Sequence, residues 1–202
     1  MMFWTYFVFR QKLFAYFPIG YFLYPQVHHQ IMKVCIGGTF DPLHKGHRAL
    51  IEKAFRIGEY VLIGLTSDEM AKKMKTMKTR KFRRNFLVNR KVILSCVTRS
   101  YQTREKDLKD YLKRKKFKNF RIVKINDRYG PSINDEFDAI VVSPETEWVA
   151  YEINKIRMKN GKKSLKVYVI HFVLADDKKT ISSSRVKKGE IDIEGRIKGV
   201  RG

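Results

Sequence analysis

A single α/β domain, built as a doubly wound parallel sheet, is predicted by three observations. From Met32 onward, apolar runs of strand length alternate with amphipathic stretches of helical length. The first apolar run passes directly into Gly37-Gly38 and then into a helical stretch, which is the layout of a ligand-facing strand–turn–helix unit. No internal repeat or low-complexity linker interrupts the alternation.

The elements follow in order. Lys33 to Ile36 reads as a buried strand, with Val34-Cys35-Ile36 an apolar run of the kind buried on both faces. His47 to Arg56 is a helix with Ala49, Leu50, Ala54 and Phe55 on one side. Tyr60 to Leu65 is a second strand, and Thr66-Ser67-Asp68 after it is a helix N-cap signal. Arg84 to Ser100 reads as a helix with Phe86, Leu87, Val92, Ile93 and Val97 apolar, and Asp107 to Lys116 is again helical. Phe120 to Ile125 is a strand and residues 126–131 a loop. Ala139 to Val142 is a strand, followed by a helix from Glu145 to Asn160 that Gly161 closes. Leu165 to Val173 is the last strand, and Ser182 to Lys188 a short helix stopped by Gly189.

A chain of 202 residues with 44% apolar content is long enough to bury a core as one domain. Its two cysteines, Cys35 and Cys96, form no C-x-x-C pair and no zinc-spaced cluster, so a reduced, cytoplasmic setting is expected. Cys35 lies in the apolar first strand and reads as a small buried residue. The charge is strongly positive, 43 Lys and Arg against 20 Asp and Glu, net +23. A field of that size favours anionic partners, whether nucleic acid or phosphorylated metabolites, and solvated surface accounts for much of it. No acidic residue falls between Glu69 and Glu105, a stretch that holds Lys72, Lys73, Arg90 and seven further basic residues before Arg99.

Residues 1–31 differ from the rest. They are dense in aromatics, yet Arg10, Lys12, Pro18 and Gly20 interrupt them, so they match neither a spanning helix nor a secretion signal. The domain reading is therefore an aromatic-rich extension over 1–31 and an α/β domain over 32–202. Met32 opens the first strand directly and is the favoured start. A membrane-interface anchor and an extra packed element are the other two readings of the extension.

Two motifs carry the chemistry. G-G-T-F-D-P-L-H-K-G-H over 37–47 places glycines, a threonine and two histidines, His44 and His47, at the start of a helix. Glycine allows close backbone approach, and a helix N-terminus offers unpaired N–H groups to an anion. Histidines three apart share one face of a helical turn. I-S-S-S-R over 181–185 follows a strand and a polar loop, and its serines cap a helix while offering hydroxyls to phosphate.

Together these resemble the class I nucleotidyltransferase superfamily, which joins T/H-x-G-H to a late I-S-S/T element on a Rossmann-like sheet. Within it, the chain resembles phosphopantetheine adenylyltransferase of the archaeal and eukaryotic type. G-L-T-S-D-E-M over 64–70 with Lys72-Lys73, D-R-Y-G-P over 127–131, V-V-S-P-E-T over 141–146 and G-E-I-D over 189–192 fall in that family's order, so the resemblance runs from Met32 to about Asp192.

The resemblance implies adenylyl transfer from ATP to 4′-phosphopantetheine, giving dephospho-coenzyme A and pyrophosphate, with Mg²⁺ arriving on the ATP and no protein metal site. It implies that Gly37, Gly38 and Phe40 line the nucleotide cradle, and that Thr39 holds the attacking phosphate. His44 and His47 then meet the α- and β-phosphates. Lys72 or Lys73, with Arg90 as a second candidate, binds the acceptor phosphate. Ser182, Ser183 and Ser184 hold the outer phosphates with Arg185 assisting, and Asp127 and Glu145 are ribose or adenine-edge candidates. Sister transferases acting on cytidylyl, FAD or nicotinamide-mononucleotide chemistry are the nearest alternative. They fit less well, since R-T-x-G is absent before Ile181 and Asp41 precedes Pro42. A basic nucleic-acid-binding protein on this scaffold is the alternative from another class. No specific nucleic acid is expected, and the sequence leaves the oligomeric state open.

Overall fold

The computed structural model describes residues 31–74 and 98–198. The extension over 1–30, Cys96, Arg90 and the other basic residues of 75–97 lie outside the described residues.

Five strands form one sheet: β1 (Lys33–Gly38), β2 (Tyr60–Thr66), β3 (Phe120–Ile125), β4 (Ala139–Val142) and β5 (Lys166–Val169). Their order is β3-β2-β1-β4-β5 and every neighbouring pair is parallel. Helices α1 (Lys45–Ile57), α2 (Tyr101–Arg114), α3 (Glu147–Lys159) and α4 (Ser183–Lys187) join them, and residues 68–74 are also helical. The doubly wound α/β fold of the sequence reading is the fold observed.

Side-chain alternation in the strands builds two cores. Val34, Ile36, Val61, Ile63, Leu65 and Val141 face Leu50, Ile51 and Ala54 of α1 and Leu108 and Leu112 of α2. Cys35, Leu62, Ile140 and Val142, the intervening residues, face Ala150 and Ile153 of α3 on the other side. Successive strand residues point to opposite faces. A strand apolar throughout therefore needs a helix layer on each side.

Several boundaries move for local reasons. β1 continues to Gly38 because Gly37 and Gly38 still pair with Gly64 and Leu65. α2 begins at Tyr101, capped by the Ser100 hydroxyl that accepts the Thr103 N–H at 3.3 Å. Residues 98–100 are not helical, and the rest of the helix expected over 84–100 lies outside the described residues. β5 ends at Val169 because its partner β4 ends at Val142; the Ile170 N–H donates to the Val142 carbonyl as the last rung. Beyond it, Leu174 pairs antiparallel with Thr180 instead, closing the polar loop before α4. Residues 144–146 form a 3₁₀ turn ahead of α3. Among the described residues no helix is long and apolar enough to cross a membrane.

Candidate active site

All five strands point their carboxyl ends to one edge, and β1 lies between β2 and β4, where the winding reverses. A crevice at that reversal is where parallel α/β sheets bind ligands. The β1–α1 turn fills it. Phe40 turns at φ 49 and is fully buried, with its ring over Gly38. A Cβ at Gly38 would stand 3.0 Å from that ring, so the second glycine makes room for Phe40. A cis peptide joins Asp41 to Pro42.

His44 is the N-cap of α1, and its Nδ1 accepts the His47 backbone N–H at 3.4 Å. Gly46 permits this, since a Cβ there would lie 3.2 Å from the His44 ring. The two imidazoles stack with centroids 3.8 Å apart, and Phe40 meets His47 edge-on at 5.2 Å. His47 Nδ1 lies 3.1 Å from the Pro42 carbonyl, which can only accept. The His47 proton therefore sits on Nδ1, whereas that of His44, whose Nδ1 accepts, sits on Nε2. Burial lowers His44 to a pKa of about 3, with the charges of His47 and Arg48 adding to it. Burial also lowers His47 to about 4, against the opposing pull of the Pro42 hydrogen bond and Asp41. Both rings are neutral at pH 7 in the free protein.

Two ionic braces hold this turn. The Asp41 carboxylate is buried and accepts the Arg99 backbone N–H at 3.1 Å, Arg99 Nε at 2.7 Å and Lys187 Nζ. Burial alone would raise the Asp41 pKa, but the Lys187 and Arg99 hydrogen bonds outweigh it and hold the group below the usual carboxylate range. One carboxylate thus joins the H-x-G-H turn to the start of α2 and to α4. Arg104 is fully buried beneath the turn and bonds Thr39, Thr66, Asp68 and the Arg99 carbonyl. None of Asp41, Arg99, Lys187, Thr66 and Arg104 stands out in the sequence as a site residue. Asp41 lies inside the motif, but its partners are 58 and 146 residues away, beyond the reach of local spacing.

The other expected residues gather at the same edge by connectivity. Lys72 and Lys73 are exposed on the helical stretch that Ser67 caps, with its hydroxyl accepting the Met70 N–H at 3.2 Å. Asp127 follows β3, where its carboxylate closes the D-R-Y-G-P turn by accepting the Tyr129 and Gly130 N–H groups at 2.8 and 2.7 Å. Glu145 follows β4 in the 3₁₀ turn and is exposed. Ser182 caps α4, its hydroxyl accepting the Arg185 N–H at 3.4 Å, while Ser183 and Ser184 start the helix. Arg185, expected to assist the serines, is engaged within its own loop. Its guanidinium donates to Asp177, Glu190 and the Thr180 carbonyl, which ties it into its own loop. A groove of about 520 Å³ on the outer side of α1 is a separate feature. Arg48 and Lys115 in it pair with Glu194 and Glu52.

A family profile described as cytidylyltransferase-like matches residues 35–189. The phosphopantetheine adenylyltransferase of Methanosarcina barkeri is 43% identical over 168 residues, covering 82% of this chain and 92% of that protein. The chain belongs to this adenylyltransferase family. The phosphopantetheine adenylyltransferase of Methanothermobacter thermautotrophicus is 44% identical, covering 84% of this chain and 92% of its own. A crystal structure from Archaeoglobus fulgidus, of a protein described as of unknown function, is 35% identical with a TM-score of 0.51. It covers 69% of this chain and 89% of that one. The chain is accordingly an adenylyltransferase-family enzyme on a nucleotidyltransferase fold. Among its described residues no group of three His, Cys, Asp or Glu side chains could hold a metal ion.

Proposed function

We propose that this chain transfers the adenylyl group of ATP to 4′-phosphopantetheine, forming dephospho-coenzyme A and pyrophosphate. The observation that carries the reading is the stacked His44–His47 pair at the sheet's switch point, in a chain 43% identical to a phosphopantetheine adenylyltransferase. ATP is taken as its Mg²⁺ complex, the metal being part of the substrate.

The acceptor phosphate oxygen attacks the α-phosphorus of ATP in line, and the bond to pyrophosphate breaks. The nucleophile is already an anion, so no general base is needed, and catalysis rests on positioning and on donors aimed at developing charge. Gly37, Gly38 and Phe40 line the cradle, and the Thr39 hydroxyl donates to the acceptor phosphate. Neutral His44 presents Nε2–H to the phosphates. Neutral His47 presents a bare Nε2, so it becomes a donor by taking a proton as the anionic triphosphate arrives. Lys72 or Lys73, with Arg90, meets the acceptor phosphate, and Ser183 and Ser184 meet the outer phosphates beside the capping Ser182. Asp127 and Glu145 stand at the ribose and adenine side. Arg185 holds the serine loop in shape. The catalytic unit in this proposal is residues 32–202. It works in the cytoplasm, in keeping with the free buried thiol of Cys35, and uses no specific nucleic acid.

The test is pyrophosphate release by the full chain with ATP, Mg²⁺ and a panel of phosphorylated acceptors. Release with 4′-phosphopantetheine and not with nicotinamide mononucleotide or flavin mononucleotide is expected. Release with another acceptor would keep the site and discard the acceptor. Tight, steeply salt-dependent binding to arbitrary RNA or DNA without ATP turnover would discard the enzyme reading for this chain.

A further inference from the structure

Thr39 lies 3.3 Å from a second hydroxyl, that of Thr66 at the carboxyl end of β2. Thr66 is 2% exposed, so its hydroxyl hydrogen must find a partner within the protein. Arg104 stands behind it, fully buried, with NH1 2.9 Å from the Thr66 carbonyl, 3.3 Å from Thr66 Oγ1 and 3.2 Å from the Thr39 carbonyl. Its other nitrogens are held by Asp68 at 2.8 Å and by the Arg99 carbonyl at 2.9 Å, so the guanidinium has one orientation.

A guanidinium only donates. Thr66 Oγ1 therefore accepts from Arg104, and its own hydrogen is directed to Thr39 Oγ1. With a lone pair taken from behind, the Thr39 hydroxyl keeps its hydrogen for the open side of the turn. The order Arg104 to Thr66 to Thr39 is a one-way chain that starts on a permanent cation. Such chains strengthen the last donor, and a donor fixed before the ligand arrives has no reorientation to complete.

We infer that Thr66 is a positioning residue, polarised by Arg104, that keeps the Thr39 hydroxyl oriented as a donor to the acceptor phosphate. This rests on the proposed role of Thr39 in holding that phosphate. Thr66 and Arg104 are both buried, so their effect on the acceptor is carried through Thr39. Arg104 also ties the ends of β1 and β2 to the start of α2 through backbone carbonyls, so its replacement disturbs the fold. Thr66 is the cleaner handle, because valine matches threonine in shape, suits a buried strand and leaves both carbonyl bonds to Arg104 in place.

The experiment compares the full-length enzyme with Thr66→Val, Thr66→Ser, Thr39→Val and the Thr39→Val/Thr66→Val double variant, measuring KM for 4′-phosphopantetheine and for ATP separately. Thr66→Val should raise the acceptor KM about tenfold, the scale of one hydrogen bond to a charged group. It should leave the ATP KM within about twofold, a margin well under the scale of one such bond. Thr66→Ser should restore the acceptor KM. The double variant should be no worse than Thr39→Val alone, since an orienting group has no effect once its target is gone. Additive losses in the double variant, equal shifts for both substrates, or failure of serine to rescue would overturn the inference while leaving the role of Thr39 standing. An unchanged acceptor KM in Thr39→Val would remove the parent reading and this inference together.

Discussion

Each end of the sheet buries one arginine completely, and the two are used differently. Arg157, at the end of α3 on the amino edge, gives its guanidinium to backbone carbonyls: Ser132 at 2.7 Å, Ile133 at 3.4 Å, Asp135 at 2.9 Å and Lys163 at 2.8 Å. It fastens a turn and a loop to a helix end, and each of these acceptors is a main-chain carbonyl. Arg104, on the carboxyl edge, also binds carbonyls, but adds the Asp68 carboxylate and the Thr66 hydroxyl, which leads on to Thr39. Equal burial therefore says little about role. What separates a structural cation from one in a site is whether its chain of donors ends in the backbone or at a surface where a ligand can sit.

The largest effect should come from the carboxyl edge without any cost to the fold. His47→Ala is expected to lower kcat by roughly 10²-fold or more, as for loss of a hydrogen-bond donor to developing charge, with the thermal midpoint little changed. A loss under tenfold in a folded variant would break the assignment.

The amino edge should show the reverse. Arg157→Leu leaves several carbonyls without their donor, and a stability loss of about 2–4 kcal/mol is expected in denaturant unfolding. Activity at a temperature where the variant stays folded should be unchanged, and a selective rise in one substrate's KM would blur the distinction between the edges.

Acid should act on the carboxyl edge through its two histidines. His44 and His47 fall to about 3 and about 4 in the folded chain from an ordinary 6.5. The unfolded chain therefore binds more protons between those values, so their contribution is complete above pH 6.5 and is lost as pH falls toward 3. Nitrogen-15 NMR should find both rings neutral at pH 6 in the free protein. ATP binding near neutral pH should take up a proton, read by calorimetry in two buffers of different ionisation enthalpy. Absence of buffer dependence would leave His47 an acceptor.

The smallest effect should be that of Arg185. Its guanidinium is committed to Asp177 and Glu190, so Arg185→Ala should move the ATP KM by less than about threefold, the modest scale of surface ion pairs. A larger rise, specific to ATP, would return it to the phosphate site.

The two structural motifs differ in how far their residues could be read ahead. The strands were legible because an apolar run of four to six residues between turn signals has few other ways to bury itself, and the boundaries that moved depend on where a neighbouring strand stops. β5 is the instance: Leu165 to Val173 is apolar enough to pair, but β4 supplies partners only as far as Val142. The histidines were legible because H-x-G-H sets their spacing within one turn. Their tautomers were not, since these depend on Pro42 and on a backbone N–H reached only once α1 has formed.

By itself the sequence determined the alternation of strands and helices, the strand that opens into the site, and the residue types that meet phosphate there. Those are properties of neighbours in the chain, fixed by side-chain period, glycine geometry and helix capping. Tertiary structure alone decided that Asp41 would meet Arg99 and Lys187, that Arg104 would lie beneath Thr39, and that Arg185 would turn into its own loop. The first two contacts join residues 58 to 146 positions apart. The third depends on how the polar loop folds back, and buried charges settle wherever the finished fold offers them partners.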